Sequence, residues 1–227
     1  ETVYGLAADA SQPEAVAKIF AAKQRPTNHP LIVHIASAAN MTDWAVDIPD
    51  LAYTLANAFW PGPLSLLLNK APHVPDCTTG GMDSIVLRAP AHPVFHEVLE
   101  RTGMGLAAPS ANLYKTISPT SADHVLRSLG GRIPAVVDGG DSNKGIESTI
   151  IDIRDDKITL LRPGPISAKD IELMTGLRVN VPEGTNIAVP GNVKQHYQPQ
   201  TPASLTSSES IKAALVDTSA IGVISYS

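Results

Sequence analysis

The sequence has 227 residues, of which 43% are hydrophobic and 17% are charged, and this is the composition of a folded globular chain. Its formal net charge of −5 gives no bulk electrostatic attraction to nucleic acid or to an anionic membrane. An anionic ligand would therefore need a local cluster of basic side chains. The single cysteine, Cys77, excludes an internal disulfide and a multi-cysteine zinc site, and no apolar run is long enough to predict a membrane span.

Hydrophobic periodicity predicts helices and strands that alternate along the first 180 residues or so. Helices are predicted over residues 13–23, 49–59, 92–101, 121–129 and 167–175, with Ser11, Ser121 and Ser167 as candidate N-caps. Strands are predicted over residues 31–35, 64–68, 85–87, 106–108, 135–137, 149–153 and 158–161. Because the two kinds of element are interleaved, the sequence predicts a layered α/β sheet.

The composition changes at about residue 182, where Gly, Pro, Asn and Gln become dominant. We interpret residues 1–181 as one domain, residues 182–208 as a linker, and residues 209–227 as the start of a second, small α/β domain. The first residues resemble the interior of a motif and the last ones a strand that is beginning. We therefore expect further sequence at both ends.

Cationic side chains follow the first predicted helix and interrupt the apolar strands. Lys23 and Arg25 stand two residues apart where a helix passes into a loop, a pattern that suits phosphate but also an ordinary solvated helix end. His34 interrupts an apolar strand, as either a core histidine or a ligand contact. Arg88 ends another strand, either to bind a carboxylate or to reach solvent.

Two further polar segments follow strands. The Ala-Pro-Ser-Ala-Asn loop at 108–112, with Ser-Pro-Thr at 118–120, has the small hydroxyl residues of a phosphate-binding loop, and equally those of common turns and helix caps. The segment 145–152 brings Glu147 and Ser148 into a strand, and Arg162 ends the next strand. The sequence has no Walker-type phosphate loop, no dinucleotide-binding glycine motif and no Cys/His metal spacing.

Taken in order, these segments resemble the YrdC family of threonylcarbamoyl-AMP synthases. The resemblance is carried by Glu-Thr-Val-Tyr-Gly-Leu at 1–6, Lys-Gln-Arg-Pro at 23–26, Pro-Leu-Ile-Val-His-Ile at 30–35, Trp-Pro-Gly-Pro-Leu at 60–64, Val-Leu-Arg-Ala-Pro at 86–90, the loops at 108–112 and 118–120, Gly-Ile-Glu-Ser-Thr-Ile-Ile-Asp at 145–152 and Leu-Arg-Pro-Gly at 161–164. Residues 190–199 resemble the linker of two-domain members. Each motif is weak alone, but their order is specific.

The resemblance implies a twisted mixed sheet with helices on both faces. It implies a cytoplasmic nucleotidyltransferase that makes threonylcarbamoyl-AMP and pyrophosphate from L-threonine, bicarbonate or CO2, and ATP. Mg²⁺ would accompany the ATP, with no dedicated metal site in the protein. A separate complex would then transfer the threonylcarbamoyl group to tRNA, and no membrane partner is implied.

The resemblance also assigns roles by position. Around threonine it places Thr2, His34, Arg88, Ala108 and Ser148, with Arg88 on the carboxylate. Facing ATP it places Lys23, Arg25, His29, Ser84, Ser110, Ser118, Arg162 and Tyr197. Lys23 and Arg25 would be catalytic, and Tyr197 would fold over the nucleotide as a lid. The sequence departs from the usual pattern at His29, where Asn is common, and at residues 113–115, which replace a Ser-Gly stretch.

Three other functions stay open at this point. The same fold could be a binding module for double-stranded RNA, against which the negative net charge counts mildly. It could be a nucleotide-binding regulator without activity. It could also be a carbamoyl-adenylating domain of the kind found in larger maturation proteins, but those carry several cysteines and this sequence has one.

Overall fold

A computed structural model of the chain describes residues 1–154 and 157–182, together with the single positions Ile187, Val189, Pro190, Pro199, Thr201, Ala203 and Ser207. The predicted domain 1–181 falls almost wholly within these ranges. The predicted linker falls mostly outside the described residues, and the predicted start of a second domain at 209–227 lies outside them entirely. Over the described ranges, no helix combines the length and apolar character needed to cross a membrane.

Strands and helices alternate along the described chain. The strands are β1 (Ala8–Asp9), β2 (Ile32–His34), β3 (Ala45–Val46), β4 (Leu64–Lys70), β5 (Ser84–Arg88), β6 (Leu106–Ala107), β7 (Thr149–Asp152), β8 (Ile158–Arg162) and β9 (Val179–Asn180). The helices are α1 (Pro13–Lys23), α2 (Asp50–Phe59), α3 (Asp76–Thr79), α4 (Pro93–Thr102), α5 (Ala122–Leu129) and α6 (Ala168–Thr175), and a 3₁₀ helix spans Ala38–Asp43.

These strands form one mixed sheet. Their order is β1-β6-β2-β5-β4-β7-β8-β9, and β3 pairs with the end of β4. The pairs β2–β5, β4–β7 and β8–β9 are parallel, and the other neighbours are antiparallel. The predicted mixed α/β sheet is therefore confirmed.

One face of the sheet carries the main core. Alternation along β4 directs Leu64, Leu66 and Leu68 to this face, where they join a single buried apolar cluster. Helices α1, α2 and α6 supply the other side of that cluster; on α1 the buried residues Val16 and Ile19 stand at helical spacing. This packing fixes the position of the sheet and leaves its second face for other contacts.

The second face carries a smaller apolar cluster and the polar side chains. Leu67 of β4 packs there with Val86 and Ile150, and Val189, which follows β9 in the chain, covers them with only 3% of its surface exposed. Helix α4 also reaches this face, because the ring of Phe95 lies 5.2 Å from the ring of His34. Helices thus lie on both faces, as predicted.

Two local predictions are wrong. Residues 135–137 form no strand, because Val136 packs against the cluster of α5 instead of pairing in the sheet, and Val137 is 69% exposed. Ser11 does not cap α1: the N-cap is Gln12, and the Ser11 hydroxyl donates to Asp9 Oδ1 at 2.7 Å.

The other two caps are confirmed. Ser121 accepts a hydrogen bond from the backbone of His124, and Ser167 forms a reciprocal capping box with Asp170.

Candidate active site

The pairing of the strands gathers the functional side chains at one end of the sheet. In the parallel pair β2–β5, His34 is opposite Arg88 at the end of both strands. Strand β4 runs antiparallel to β5, so its start lies at the same end, and β7 starts beside it with Thr149 opposite Leu64. Strand β8 ends there too, where Arg162 is opposite Ile150. Strands of opposite direction therefore contribute to the same site.

The first residues of the chain run along the loop that follows β6. An isolated antiparallel bridge joins Gly5 and Ser110, and the amide of Leu6 donates to the carbonyl of Pro109 at 2.8 Å. The amide of Ala111 donates in turn to the carbonyl of Tyr4 at 2.7 Å. These backbone bonds hold the motif at 1–6 beside the loop at 108–112.

A cavity of about 420 Å³ lies at this end of the sheet. Its lining includes these residues of the predicted site: Thr2, Arg25, His34, Arg88, Ala108, Ser110, Ser148 and Arg162. It also includes three carboxylates without a predicted role, those of Glu1, Asp141 and Glu147. The structure thus brings together most of the positions assigned by resemblance, from segments far apart in sequence.

Arg88 is almost fully buried, and all three nitrogens of its guanidinium donate hydrogen bonds. Its Nε donates to the carbonyl of Gly62 at 2.9 Å, and its Nη1 donates to Thr2 Oγ1 at 3.1 Å. Its Nη2 donates to Glu1 Oε1, which also accepts from the backbone amide of Ala91 at 3.2 Å. Burial lowers the pKa of Arg88 while the carboxylate of Glu1 opposes that shift. The guanidinium is held rigidly at the cavity wall, ready to bind an anion.

His34 is a neutral polar group in the same wall. Burial and, secondarily, the charge of Arg88 lower its pKa to about 3, so the imidazole is uncharged at pH 7. Its Nδ1 is buried and has no hydrogen-bond partner among the described residues. The residue as a whole lines the cavity, beside Arg88.

Lys23 lies behind the loop at 108–112 rather than at the cavity surface. Its side chain is 1% exposed, and its ammonium donates to the carbonyl of Ser110 and, at 2.7 Å, to that of Asn112. Burial, followed by the nearby charge of Arg25, lowers its pKa to about 7, while Glu147 opposes the shift. These two carbonyls hold the ammonium, so Lys23 supports the loop in this structure. Its contact with ATP stays a prediction.

Ser118 reaches the cavity through another residue. Its hydroxyl donates to Glu147 Oε1, and Glu147 lines the cavity while Ser118 does not. Sequence reasoning noted Glu147 without giving it a role. The available signal is a carboxylate that directly precedes the two hydroxyl residues Ser148 and Thr149 at the start of an apolar strand.

Ser148 and Arg162 form one unit. Arg162 Nε and Nη2 donate to the carbonyl of Ser148 at 3.0 and 2.8 Å, and Nη2 also donates to Ser148 Oγ at 3.0 Å. Its Nη1 donates to the carbonyl of Pro190 at 2.7 Å. The residue assigned to threonine and the residue assigned to ATP are thus in direct contact.

His29 and Tyr114 contact each other beside Arg25. The ring of Tyr114 lies 5.5 Å from that of His29 in an edge-to-face arrangement and 6.0 Å from the guanidinium carbon of Arg25. Burial, Arg25 and Lys115 lower the pKa of His29. His29 is not among the residues lining the cavity, so it would act on a ligand through its neighbours.

Among the described residues, Ser84 is a predicted site residue that lies away from the cavity. Ser84 starts β5 and pairs with Asn69, whereas Arg88 ends the same strand, so Ser84 lies at the opposite end of the sheet. The length of β5 separates the two residues, because a strand rises by about 3.3 Å per residue. Tyr197, the predicted lid, lies outside the described residues.

The guanidiniums of the site suit anionic ligands that must be held and oriented. Three guanidiniums, those of Arg25, Arg88 and Arg162, line the cavity. Within the described ranges, no group of three or more His, Cys, Asp or Glu residues could hold a metal ion. The three guanidiniums offer charge neutralisation and positioning, beside a neutral imidazole.

Comparison with known proteins agrees with this geometry. The threonylcarbamoyl-AMP synthase of Pyrococcus abyssi is 43% identical over 204 residues, covering 88% of this chain and 60% of that protein. The Bacillus subtilis threonylcarbamoyl-AMP synthase is 42% identical over 214 residues, covering 90% of this chain and 61% of that protein. The chain thus spans about 60% of the length of these relatives.

A solved structure and a family model complete the comparison. The crystal structure of P. abyssi Sua5 complexed with L-threonine superposes with a TM-score of 0.81 at 42% identity, covering 88% of this chain and 60% of that one. The family model Sua5_yciO_yrdC, described as "Telomere recombination", matches residues 1–164, which is more than half of the chain. On this evidence the chain belongs to the Sua5/YciO/YrdC family.

Proposed function

We propose that this chain forms the catalytic part of an L-threonylcarbamoyladenylate synthase. Its substrates would be L-threonine, bicarbonate or CO2, and ATP, and its products threonylcarbamoyl-AMP and pyrophosphate. The observation that carries the proposal is the cavity that Arg88, Ser148 and Arg162 line together. Relatives named for this reaction are similar along most of the chain, which supports the same conclusion.

The threonine end of the cavity would be the part around Arg88. A buried guanidinium with fixed neighbours suits a carboxylate, because two parallel N–H donors match two oxygens. The neutral imidazole of His34 and the hydroxyls of Thr2 and Ser148 would contact the rest of the amino acid. Related P. abyssi Sua5 has been crystallised with L-threonine, in agreement with this assignment.

The ATP end would be the part between Arg25, Ser110 and Arg162. Guanidiniums are strong partners of phosphate, and Ser110 adds a hydroxyl on a loop whose carbonyls are occupied by Lys23. Lys23 has three N–H donors, of which two are used within the described residues. The third would serve a phosphate oxygen when the nucleotide is bound.

The reaction would proceed in two steps. The amine nitrogen of threonine adds to CO2 and loses a proton, which gives a carbamate. A carbamate oxygen then attacks the α-phosphorus of ATP, the bond to the bridging β-phosphate oxygen breaks, and pyrophosphate leaves with the electron pair. Because the carbamate is already anionic, the site needs positioning and charge neutralisation more than a general base.

Mg²⁺ would enter with the nucleotide, whose phosphates supply most of its ligands. It would neutralise charge on the leaving pyrophosphate. The product would be used in the cytoplasm by a separate complex that transfers the threonylcarbamoyl group to tRNA. A direct RNA contact is not required for this role.

The experiment is pyrophosphate release from ATP and bicarbonate, measured with and without L-threonine. We expect release that depends on threonine and is much weaker with L-serine, because the threonine methyl group has a place in a partly apolar cavity. The chain should be tested as given and also extended to the length of its relatives.

Two controls make the result decisive. The Arg88→Gln variant removes the carboxylate partner, and omission of bicarbonate removes the carbon source. Release that is independent of threonine in both lengths of the chain would reject the proposal. Loss of binding to double-stranded RNA with rising salt, without any pyrophosphate release, would favour the RNA-binding alternative.

A further inference from the structure

A serine that was not assigned to the site stands directly behind Ser148. Ser65 lies on β4, its side chain is 0% exposed, and its Oγ is 2.7 Å from Ser148 Oγ. Ser148 lines the cavity, whereas Ser65 does not. The two hydroxyls join neighbouring parallel strands at the end of the sheet where the ligand would bind.

The direction of this hydrogen bond follows from its neighbours. Arg162 Nη2 lies 3.0 Å from Ser148 Oγ, and a guanidinium can only donate, so Ser148 accepts there. Ser65 is fully buried, and among the described residues the only hydrogen-bond partner of its hydroxyl is Ser148. A buried hydroxyl that does not donate is unfavourable. Ser65 therefore donates to Ser148.

This direction determines what Ser148 can do. Its oxygen has two lone pairs, and the bonds from Ser65 and Arg162 use both. The hydroxyl proton of Ser148 then has no acceptor among these contacts, and the side chain lies at the cavity wall. Without Ser65, the Ser148 hydroxyl would be free to rotate.

We propose that Ser65 is a positioning residue, which orients the hydroxyl proton of Ser148 toward an anionic oxygen of the amino-acid substrate, on its carboxylate or on the carbamate formed from it. The proposal rests on the function proposed above. Ser65 does not touch the substrate and acts through Ser148. Its effect should therefore appear in the affinity for the amino acid and depend on Ser148 being present.

The test compares four variants with the unmodified chain: Ser65→Ala, Ser148→Ala, the double variant, and Thr78→Val as a matched control. Thr78 also has a fully buried hydroxyl, which donates to the carbonyl of Ala10 at 2.9 Å, away from the cavity. The measurements are the Kd for L-threonine by calorimetry, KM and kcat for threonine-dependent pyrophosphate release, and thermal stability.

We expect Ser65→Ala to raise the Kd and KM for L-threonine by about threefold to tenfold, the effect of one neutral hydrogen bond, while KM for ATP changes less than about twofold. In the Ser148→Ala background the same change should have no further effect. Thr78→Val should lower thermal stability without altering the Kd. Ser65→Cys, which keeps a weak donor of similar size, should be intermediate.

Two results would overturn the proposal. One is a Kd for L-threonine in Ser65→Ala equal to that of Thr78→Val. The other is an equal further loss when Ser65→Ala is added to Ser148→Ala, because that would show independent action. If the unmodified chain binds threonine but releases no pyrophosphate, the proposed function fails, while the calorimetry still tests the role of Ser65. If the unmodified chain binds no threonine, the proposed function and the role of Ser65 both fail.

Discussion

Arg88 and Glu1 form an ion pair in the wall of the cavity, with Nη2 of the guanidinium donating to Oε1 of the carboxylate. Both side chains are nearly buried, at 5% and 10% exposure. The positive charge at the candidate carboxylate site is thus partly compensated within the chain itself. A ligand carboxylate would have to share the donors of Arg88 with Glu1 or displace the Glu1 carboxylate. We therefore expect ligand binding to depend on the geometry in which Arg88 holds its N–H donors.

Substituting Lys for Arg88 tests this geometry. A single ammonium cannot reach the carbonyl of Gly62, the hydroxyl of Thr2 and a carboxylate together. We expect KM for L-threonine to rise by about tenfold to a hundredfold, the range for lost hydrogen bonds to charged groups. The measurement is the threonine dependence of pyrophosphate release.

Arg154→Lys is the matched control for Arg88→Lys. Arg154 also makes a two-pronged contact with a carboxylate, that of Asp152, but it does not line the cavity. We expect an unchanged KM for threonine in this variant. Equal KM values in both variants would contradict a role of Arg88 in binding the substrate.

The pKa of Lys23 predicts the pH dependence of the reaction. Burial and the charge of Arg25 lower this pKa from 10.5 to about 7, so the folded chain loses the Lys23 charge as the pH rises through about 7. We expect kcat/KM for ATP, which reports ionisations of the free enzyme, to fall over the same range. The Lys23→Met variant should be less active and lack this descending limb. If the descending limb persists at the same pH in Lys23→Met, the ionisation belongs to another group.

The same shift has a consequence for stability. Between about pH 7 and pH 10.5 the unfolded chain binds a proton at Lys23 that the folded chain does not. The free energy of unfolding therefore increases with pH across this window, and the cost of burying Lys23 is fully present below it. Denaturant melts should show a steeper rise of this free energy with pH in the unmodified chain than in Lys23→Met.

Tyr114 is expected to influence ATP through Arg25. Its ring lies 6.0 Å from the guanidinium carbon, and its amide donates to the carbonyl of Lys23 at 2.9 Å. We expect Tyr114→Ala to raise KM for ATP by about twofold to fivefold, because a partly exposed cation–π contact is lost. Tyr114→Phe keeps the ring and removes only the hydroxyl that contacts His29, so it should be nearly neutral. An equal loss in both variants would assign the effect to the hydroxyl.

Gly164 has no room for a side chain. A Cβ there would lie 2.4 Å from the amide nitrogen of Thr149 and 2.6 Å from the carbonyl of Glu147, and backbone atoms cannot move aside as a flexible side chain can. We expect Gly164→Ala to lower the free energy of unfolding by about 1–3 kcal/mol and to reduce activity by displacing Ser148. Chemical denaturation and pyrophosphate release measure the two effects.

Gly103→Ala provides the contrast. Gly103 has φ of +62°, which disfavours a side chain, but a Cβ there would meet nothing within 4 Å. We expect this variant to be destabilised while KM for both substrates stays unchanged. Full activity in Gly164→Ala would show that the close packing at Gly164 does not position Ser148.

The sequence predicted the longer elements because their signals are local. Helices α1, α2, α4, α5 and α6 and strands β4, β5, β7 and β8 agree with the predicted ranges within a few residues, since each buries one periodic apolar face. The two-residue strands β1, β3 and β9 were not predicted, because so short a strand has no periodic pattern. The apolar residues 135–137 resemble a strand in sequence because burial against α5 and burial in a sheet leave the same apolar pattern.

For the site, the ordered motifs determined by resemblance which segments meet, and residues such as Arg88, Ser148 and Arg162 do line one cavity. Only the tertiary structure decided what each side chain does there. Strand β5 places Ser84 at its start, which is the end of the sheet away from the cavity. Long-range packing turns the ammonium of Lys23 toward two carbonyls.

The contacts least visible in the sequence are those between strands. Ser65 and Ser148 are 83 residues apart in the chain, and the parallel register of β4 and β7 brings their hydroxyls together. The two departures from the family pattern, at His29 and Tyr114, likewise contact each other. Composition and periodicity determine which surfaces are buried, since that depends on neighbours along the chain. Strand direction and register determine which polar atoms meet, because hydrogen bonds depend on atomic positions that only the folded chain provides.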